Sequence, residues 1–241
     1  MTHWTEDLTN VPASVRERLR NIARDTGENM QVILARYATE RLMYRLSRSD
    51  YRERFVLRGA WLFYLWGIPR RATRDVDFLA QVDNVHERAK EVFREVSQLD
   101  VSHNDGLHFD LDSIRVQEIQ EDRDYAGLRL TMTAYLGETR IHTQVDLGFD
   151  EALTEEPMMA RLPVLLDYEA PEIQVYSPEA VVAEKLEAIV KLGTINTRFK
   201  DFFDLYILSR EQSFEAKKLR PRSARHSHIG IRTFRPQCQE D

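Results

Sequence analysis

Residues 55–80 read FVLRGAWLFYLWGIPRRATRDVDFLA, and the two aspartates of Asp75-Val76-Asp77 decide how the rest is read. Phe55 to Arg58 predicts a strand, and Gly59-Ala60 turns it into a short apolar stretch from Trp61 to Trp66. A Gly-Ile-Pro turn with Arg70, Arg71 and Arg74 then leads to a second strand carrying the aspartates. Alternate residues of a strand point to opposite faces, so Asp75 and Asp77 project together while Val76 and Phe78 point into a core. Two carboxylates that close repel unless a cation lies between them. Mg²⁺ is the natural occupant, with Mn²⁺ as the second choice, because such ions take one or two carboxylates plus substrate phosphates. A solvated strand face is the competing reading of an isolated D-x-D pair. Gly59 lies at a strand end, where backbone N–H groups can approach a phosphate. The three arginines either clamp a triphosphate or RNA, or are solvated loop charge.

Farther along, Ile141 to Leu147 alternates as a strand, with Ile141, Thr143, Val145 and Leu147 on one face and His142, Gln144 and Asp146 on the other. If this strand pairs with the first acidic one, Asp146 supplies a third carboxylate, as metal ligand or base. The alternative is a solvent-facing aspartate on an edge strand. Ser177-Pro178 opens a helix that Gly193 ends, and on it Lys185 is flanked by Val181 and Ile189, both expected in the core. A lysine in an apolar stripe either snorkels or has a partner, here the β/γ oxygens of a triphosphate, Glu184 or an aspartate. Asp201 and Asp204 lie one turn apart on the next helix and face the same way. They could orient Lys185, bind a base or ribose, or pair with Arg198. Phe202, Phe203, Leu205 and Tyr206 read as packing residues. The seven histidines show no ligand spacing; His103, His108 and His142 read as polar filling in or near strands.

A strand, a glycine turn, a helix and then D-x-D is the order found in the nucleotidyltransferase superfamily that includes DNA polymerase beta. Within it, residues 11 to 210 resemble the AbiEii/AbiGii family of toxin-type nucleotidyltransferases. Four ordered elements carry the resemblance: FVLRGA followed by TRDVDF, the Asp146 strand, the SPEAVVAEKLEAIVKLG helix with Lys185, and Arg198-Phe-Lys-Asp201-Phe-Phe-Asp204-Leu. The resemblance implies an α+β fold, with a polymerase-beta-like core built on a small mixed sheet between N-terminal and C-terminal helical elements. It implies metal-dependent transfer from a nucleoside triphosphate (EC 2.7.7 type) to an RNA acceptor, with tRNA favoured. It also implies a role as toxin in a toxin–antitoxin or phage-defence pair, with an AbiEi-type antitoxin as partner. On that reading Asp75, Asp77, Asp146, Lys185 and Asp201 are catalytic, and Asp75, Asp77 and Asp146 hold the metal. Gly59, Ala60, Arg74, Lys185 and Asp204 bind substrate, and Asp201 is favoured over Asp204 as the essential aspartate of the last motif. One departure stands out: the superfamily has Gly-Ser where this chain has Gly59-Ala60, so no hydroxyl is available there for a phosphate. Two other functions stay open, a catalytically silent nucleotide-binding regulatory module and a nucleotidyltransferase acting on protein.

The remaining sequence bounds the setting. The 241 residues are 42% apolar and 31% charged, a soluble globular balance able to build a full core. A net charge of −6 argues against a basic nucleic-acid coat but not against a local basic face. The single cysteine, Cys238, excludes an intramolecular disulfide. With no long apolar run and no signal-peptide core in MTHWTEDLTN, the expected location is the cytoplasm. Helices are expected at 12–25, ended by Gly27, and then over a second segment with Ile33, Leu34, Tyr37, Ala38 and Leu42 on one face and arginines on the others. That pair reads as a lid or buttress, or as a helix-turn-helix DNA reader. Arg36, Arg41, Arg45, Arg48, Arg52, Arg54 and Arg58 either form a positive face for RNA or merely solvate the helices. A helix over 84–99 and period-two alternation from His108 to Phe149 follow, then a connector at 150–176 with Pro157, Pro163 and Pro171. The expected division is 1–52 helical, 53–176 transferase core, 177–213 helical and 214–241 a basic tail. The tail reads either as a disordered extension or as a shifted reading frame near Lys217.

Overall fold

The computed structural model describes residues 10–68, 73–81, 86–122, 125–149, 156–192, 199–212 and 214. The readings made for Arg70, Arg71, Gly193, Arg198, Cys238 and the tail beyond 214 lie outside the described residues. The chain divides into two compact units, Met1–Ser177 and Pro178–Asp241.

The first unit opens with α1 (Val11–Thr26) and α2 (Met30–Ser47). Asn10 caps α1 by accepting the Ala13 N–H at 3.1 Å, Pro12 fills the first turn, and Gly27 ends the helix at φ 73°. Then come β1 (Phe55–Arg58), the short α3 (Trp61–Leu65), β2 (Asp75–Ala80) and α4 (His86–Gln98). A meander of β3 (Leu107–Asp122), β4 (Tyr125–Leu136) and β5 (Thr139–Gly148) follows, and β6 (Met158–Arg161) and β7 (Glu172–Val175) close the unit. The fold is α+β, on one mixed sheet of seven strands in the order β3-β4-β5-β2-β1-β7-β6. Strand β2 runs parallel to β5 and antiparallel to β1, and β1 runs parallel to β7.

One face of this sheet carries the helices. Phe55 packs edge-on against Phe78 of β2 and Phe93 of α4, at 5.9 and 5.7 Å between ring centroids. Helix α2 lies along β5, beside α4. Val76, Phe78, Leu128, Leu130, Met132, Ala134, Val145 and Leu147 are all sealed there, as the period-two pattern requires. Asp75, Asp77 and Asp146 therefore point from the opposite face.

Two expectations fail. The segment 150–176 is more than a connector, because β6 and β7 extend the sheet beyond β1. Its prolines, which masked the strands, fall outside them, with Leu162 N–H returning to the carbonyl of Pro171 at 2.9 Å. Helix α2 is not an amphipathic helix with arginines outward. It is buried almost all round, and Glu40, Arg41 and Arg45 are sealed with it. Arg41 Nε and Arg45 Nη1 reach Asp105 Oδ2 at 3.2 and 2.7 Å, and Arg45 Nη2 reaches Oδ1 at 3.2 Å. Arg41 also donates to the Glu169 carbonyl at 2.7 Å. A guanidinium enters a core only at a cost that partners for its donors and charge must offset; Asp105 takes three of these contacts, while Arg45 Nε is left without a partner. The seven-arginine positive face thus loses Arg41 and Arg45. The pair α1–α2 acts as a buttress under the sheet. Among the described residues no helix is long and apolar enough to cross a membrane.

Candidate active site

Strand β2 presents Asp75 and Asp77 half-buried, while Val76 between them is fully buried. The turn after β1 shapes this edge. Gly59 has φ +73°, and a Cβ there would collide with the Asp77 carboxylate. Glycine is required twice over, for the backbone angle and for the carboxylate packed against it. Trp61 Nε1 donates to the Asp75 carbonyl at 3.1 Å, and the Thr73 hydroxyl donates to Asp75 Oδ1. Ala60 is half-buried and Arg74 is exposed.

Pairing across the sheet brings Asp146 in. The parallel β2–β5 register sets Asp77 opposite Asp146 and Asp75 opposite Gln144. Continued outward, Asp146 faces Arg129 on β4, and Asp77 faces Arg58 on β1. Arg129, Asp146, Asp77 and Arg58 thus form one row on one face, since directly opposed residues share a face. Strand β5 is an interior strand and Asp146 is 5% exposed, which removes the edge-strand reading. Its carboxylate receives Arg129 Nε at 2.9 Å and Nη2 at 2.7 Å, and Gln144 Nε2 at 3.2 and 3.3 Å. The bond to Asp146 raises the Arg129 guanidinium above its usual value, with Asp75 and Asp77 adding to the pull. Arg58 lies across β5 at Gly148, where a Cβ would strike its guanidinium.

For a metal ion, Asp75 and Asp77 fit: two carboxylates on one strand face match Mg²⁺ that takes its remaining ligands from phosphates and water. Asp146 stands beside them with its oxygens already engaged. Among the described residues no group of three or more His, Cys, Asp or Glu side chains is arranged to hold a metal.

The second unit contains α5 (Pro178–Leu192) and α6 (Phe199–Glu211). Lys185 Nζ lies 2.7 Å from Asp201 Oδ1 and 2.8 Å from Asp204 Oδ2, so of its open partners the structure gives it both aspartates. Val181 is buried as expected, but Ile189 is only half-buried. Phe202, Phe203 and Tyr206 are not core residues: they are 48, 58 and 57% exposed. Asp201, Asp204 and Leu208 occupy the buried stripe of α6, and helical spacing turns those rings outward.

His103, His108 and His142 lie on the surface rather than filling gaps. Sequence reasoning gave no site role to Arg129 or Thr73, noted Gln144 only as sharing a face with Asp146, and took Arg58 only as part of a positive face. The signal for Arg129 was available. The Gly137-Glu138 turn sets Leu136 opposite Thr139, and counting back along the hairpin reaches Arg129 opposite Asp146.

A family model described as "Nucleotidyl transferase AbiEii toxin, Type IV TA system" matches residues 41–234. The chain belongs to the AbiEii family of nucleotidyltransferase toxins. The AbiEii match takes in all the candidate site residues above and runs on through most of the stretch read as a basic tail. Two solved structures are similar, a candidate nucleotidyltransferase from H. pylori at 19% identity and TM-score 0.42, and JHP933 from Helicobacter pylori at 17% and 0.44. Each likeness covers 70% of this chain, which spans 64% and 62% of those two chains. No curated protein matches.

Proposed function

We propose that this AbiEii-family chain transfers a nucleotide from a nucleoside triphosphate to an RNA acceptor, with tRNA the favoured class. In this reading Mg²⁺ or Mn²⁺ is held by Asp75 and Asp77. The chain acts in the cytoplasm as the toxin of a toxin–antitoxin or phage-defence pair, restrained by an AbiEi-type antitoxin. The observation that carries the reading is the β2–β5 register, which sets Asp75 and Asp77 beside Asp146 on the sheet face opposite α2 and α4.

A bound divalent ion neutralises charge on the phosphate oxygens and lowers the pKa of the attacking hydroxyl. The chain's own residues do the positioning. Thr73 fixes the rotamer of Asp75, and the bare Cα of Gly59 lets Asp77 lie against the turn. Backbone groups at Gly59 and Ala60 replace the serine hydroxyl of the wider superfamily. Arg74, exposed next to Asp75 in the chain, takes the phosphate oxygens in this reading. For the RNA acceptor, Arg48, Arg52 and Arg54 remain exposed between α2 and β1 after Arg41 and Arg45 are withdrawn into the core.

Incubation with labelled nucleoside triphosphates, Mg²⁺ and either total RNA or soluble protein tests this. Label on RNA that vanishes with Asp77→Ala supports it. Label on protein alone overturns the acceptor assignment, no label on either overturns the enzyme, and equal triphosphate affinity in EDTA and Mg²⁺ overturns the metal.

A further inference from the structure

Asp146, the expected third metal ligand, has both of its carboxylate oxygens engaged. We propose that Arg129 is a phosphate-positioning residue of the transfer site and that Asp146 is its holder rather than a metal ligand. The inference rests on the metal-dependent transfer proposed above.

The contact has the forked geometry that guanidinium and carboxylate favour, with Nε on one oxygen at 2.9 Å and Nη2 on the other at 2.7 Å. Gln144 Nε2 reaches the same two oxygens. To serve as a ligand, Asp146 would have to give up oxygen lone pairs now taken by a charged fork and by the Gln144 amide, at a side chain only 6% exposed. The exposures point the other way: the Arg129 side chain is 34% exposed. Its outer nitrogen, Nη1, is not used by Asp146. A buried carboxylate holding a more exposed guanidinium is the arrangement of an oriented anion receptor.

Position agrees. Arg129 lies in the same row as Asp77, two strand spacings away, a separation of roughly 10 Å that a triphosphate chain spans. A phosphate arriving beside Asp75 and Asp77 would meet a fixed cation on the β4 side of the row. Arg58 flanks the β1 side.

Two measurements on the full chain separate the roles. Mn²⁺ binding without nucleotide is followed by electron paramagnetic resonance. Binding of a nucleoside triphosphate analogue with an uncleavable α–β linkage is followed by calorimetry in Mg²⁺. Asp77→Asn is expected to lose Mn²⁺. Asp146→Asn and Arg129→Met are expected to keep it while weakening the analogue by roughly tenfold or more, the value of a lost charge-assisted contact. Arg129→Lys should recover part of that loss. Because each neutralising change strands a partner, the paired variant Arg129→Gln with Asp146→Asn keeps a neutral hydrogen-bonded pair and serves as the folded control. It should bind Mn²⁺ normally and the analogue weakly. Loss of Mn²⁺ in Asp146→Asn comparable to that in Asp77→Asn overturns the inference alone, as does wild-type analogue binding by the paired variant. Retention of Mn²⁺ by Asp77→Asn overturns the metal reading and the inference with it.

Discussion

Two arginine–aspartate clusters lie on opposite sides of the sheet, and they differ in what water can reach. Under the helices, Arg41, Arg45 and Asp105 have side chains 2, 6 and 1% exposed, and Tyr37 and Tyr44 close over them. On the other side, Asp146 is nearly as buried, yet its partner Arg129 is a third exposed. The same chemistry thus serves two ends. A cluster sealed on every side can only hold α2 to the loop before β3. A cluster with one open member can also meet a ligand.

The comparison breaks first at Asp105. Asp105→Ala strands two buried guanidinium groups and should cost about 3–5 kcal/mol in urea unfolding. A cost below about 1 kcal/mol, the level of an exposed pair, would erase the distinction. Glu40, beside the same cluster, comes next. Burial raises its carboxyl to about 7, against the opposing pull of Leu165 N–H and Arg41. Between the ordinary carboxylate value of 4.5 and about 7 the folded chain holds a proton that the unfolded chain releases. The stability this gives is complete below 4.5 and is lost as pH rises through 7. The full swing is about 3 kcal/mol. Melting temperature should therefore fall from pH 5 to pH 8, and Glu40→Gln should flatten that slope; an unchanged slope sinks the assignment.

On the open side the expected effects on stability shrink. Gly59→Ala forces a left-handed backbone on alanine, at about 1–2 kcal/mol, and pushes Asp77 from its place. Transfer should fall far more than stability does, and a fully active, folded variant would contradict that packing. Smallest is the exposed pair Arg18–Asp167. Asp167→Asn should shift unfolding by no more than about 0.5 kcal/mol and less still in high salt.

The acidic strand, the Asp146 strand and the face each aspartate takes were legible because strand alternation is local and the chemistry of paired carboxylates is restrictive; that the two strands pair, and in parallel, came only from the fold. The arginines of α2 were not legible. Helical periodicity assigns a charged residue outward by default, and only the fold shows that Asp105, far along the chain, waits inside. Lys185 was legible as an anomaly within an apolar stripe, but its partner was not, since phosphate and aspartate satisfy an ammonium equally well. The outward rings of α6 were misread for a related reason: Asp201 and Asp204 hold the stripe that aromatic residues would normally take.

The seam between β2 and β5 also bears on assembly. Neighbours in the β3–β4–β5 meander pair locally, whereas β2 must wait for β5 to arrive from beyond α4 and two further strands. Long-range parallel pairing of this kind forms late, because the loop must close before its contacts repay the entropy. On the ribosome, Asp77 emerges before its neighbour Asp146, so the growing chain can pair its acidic strand with β1 before β5 exists to complete the row. The row that joins Asp77 to Asp146 therefore comes into being only with that last long-range pairing.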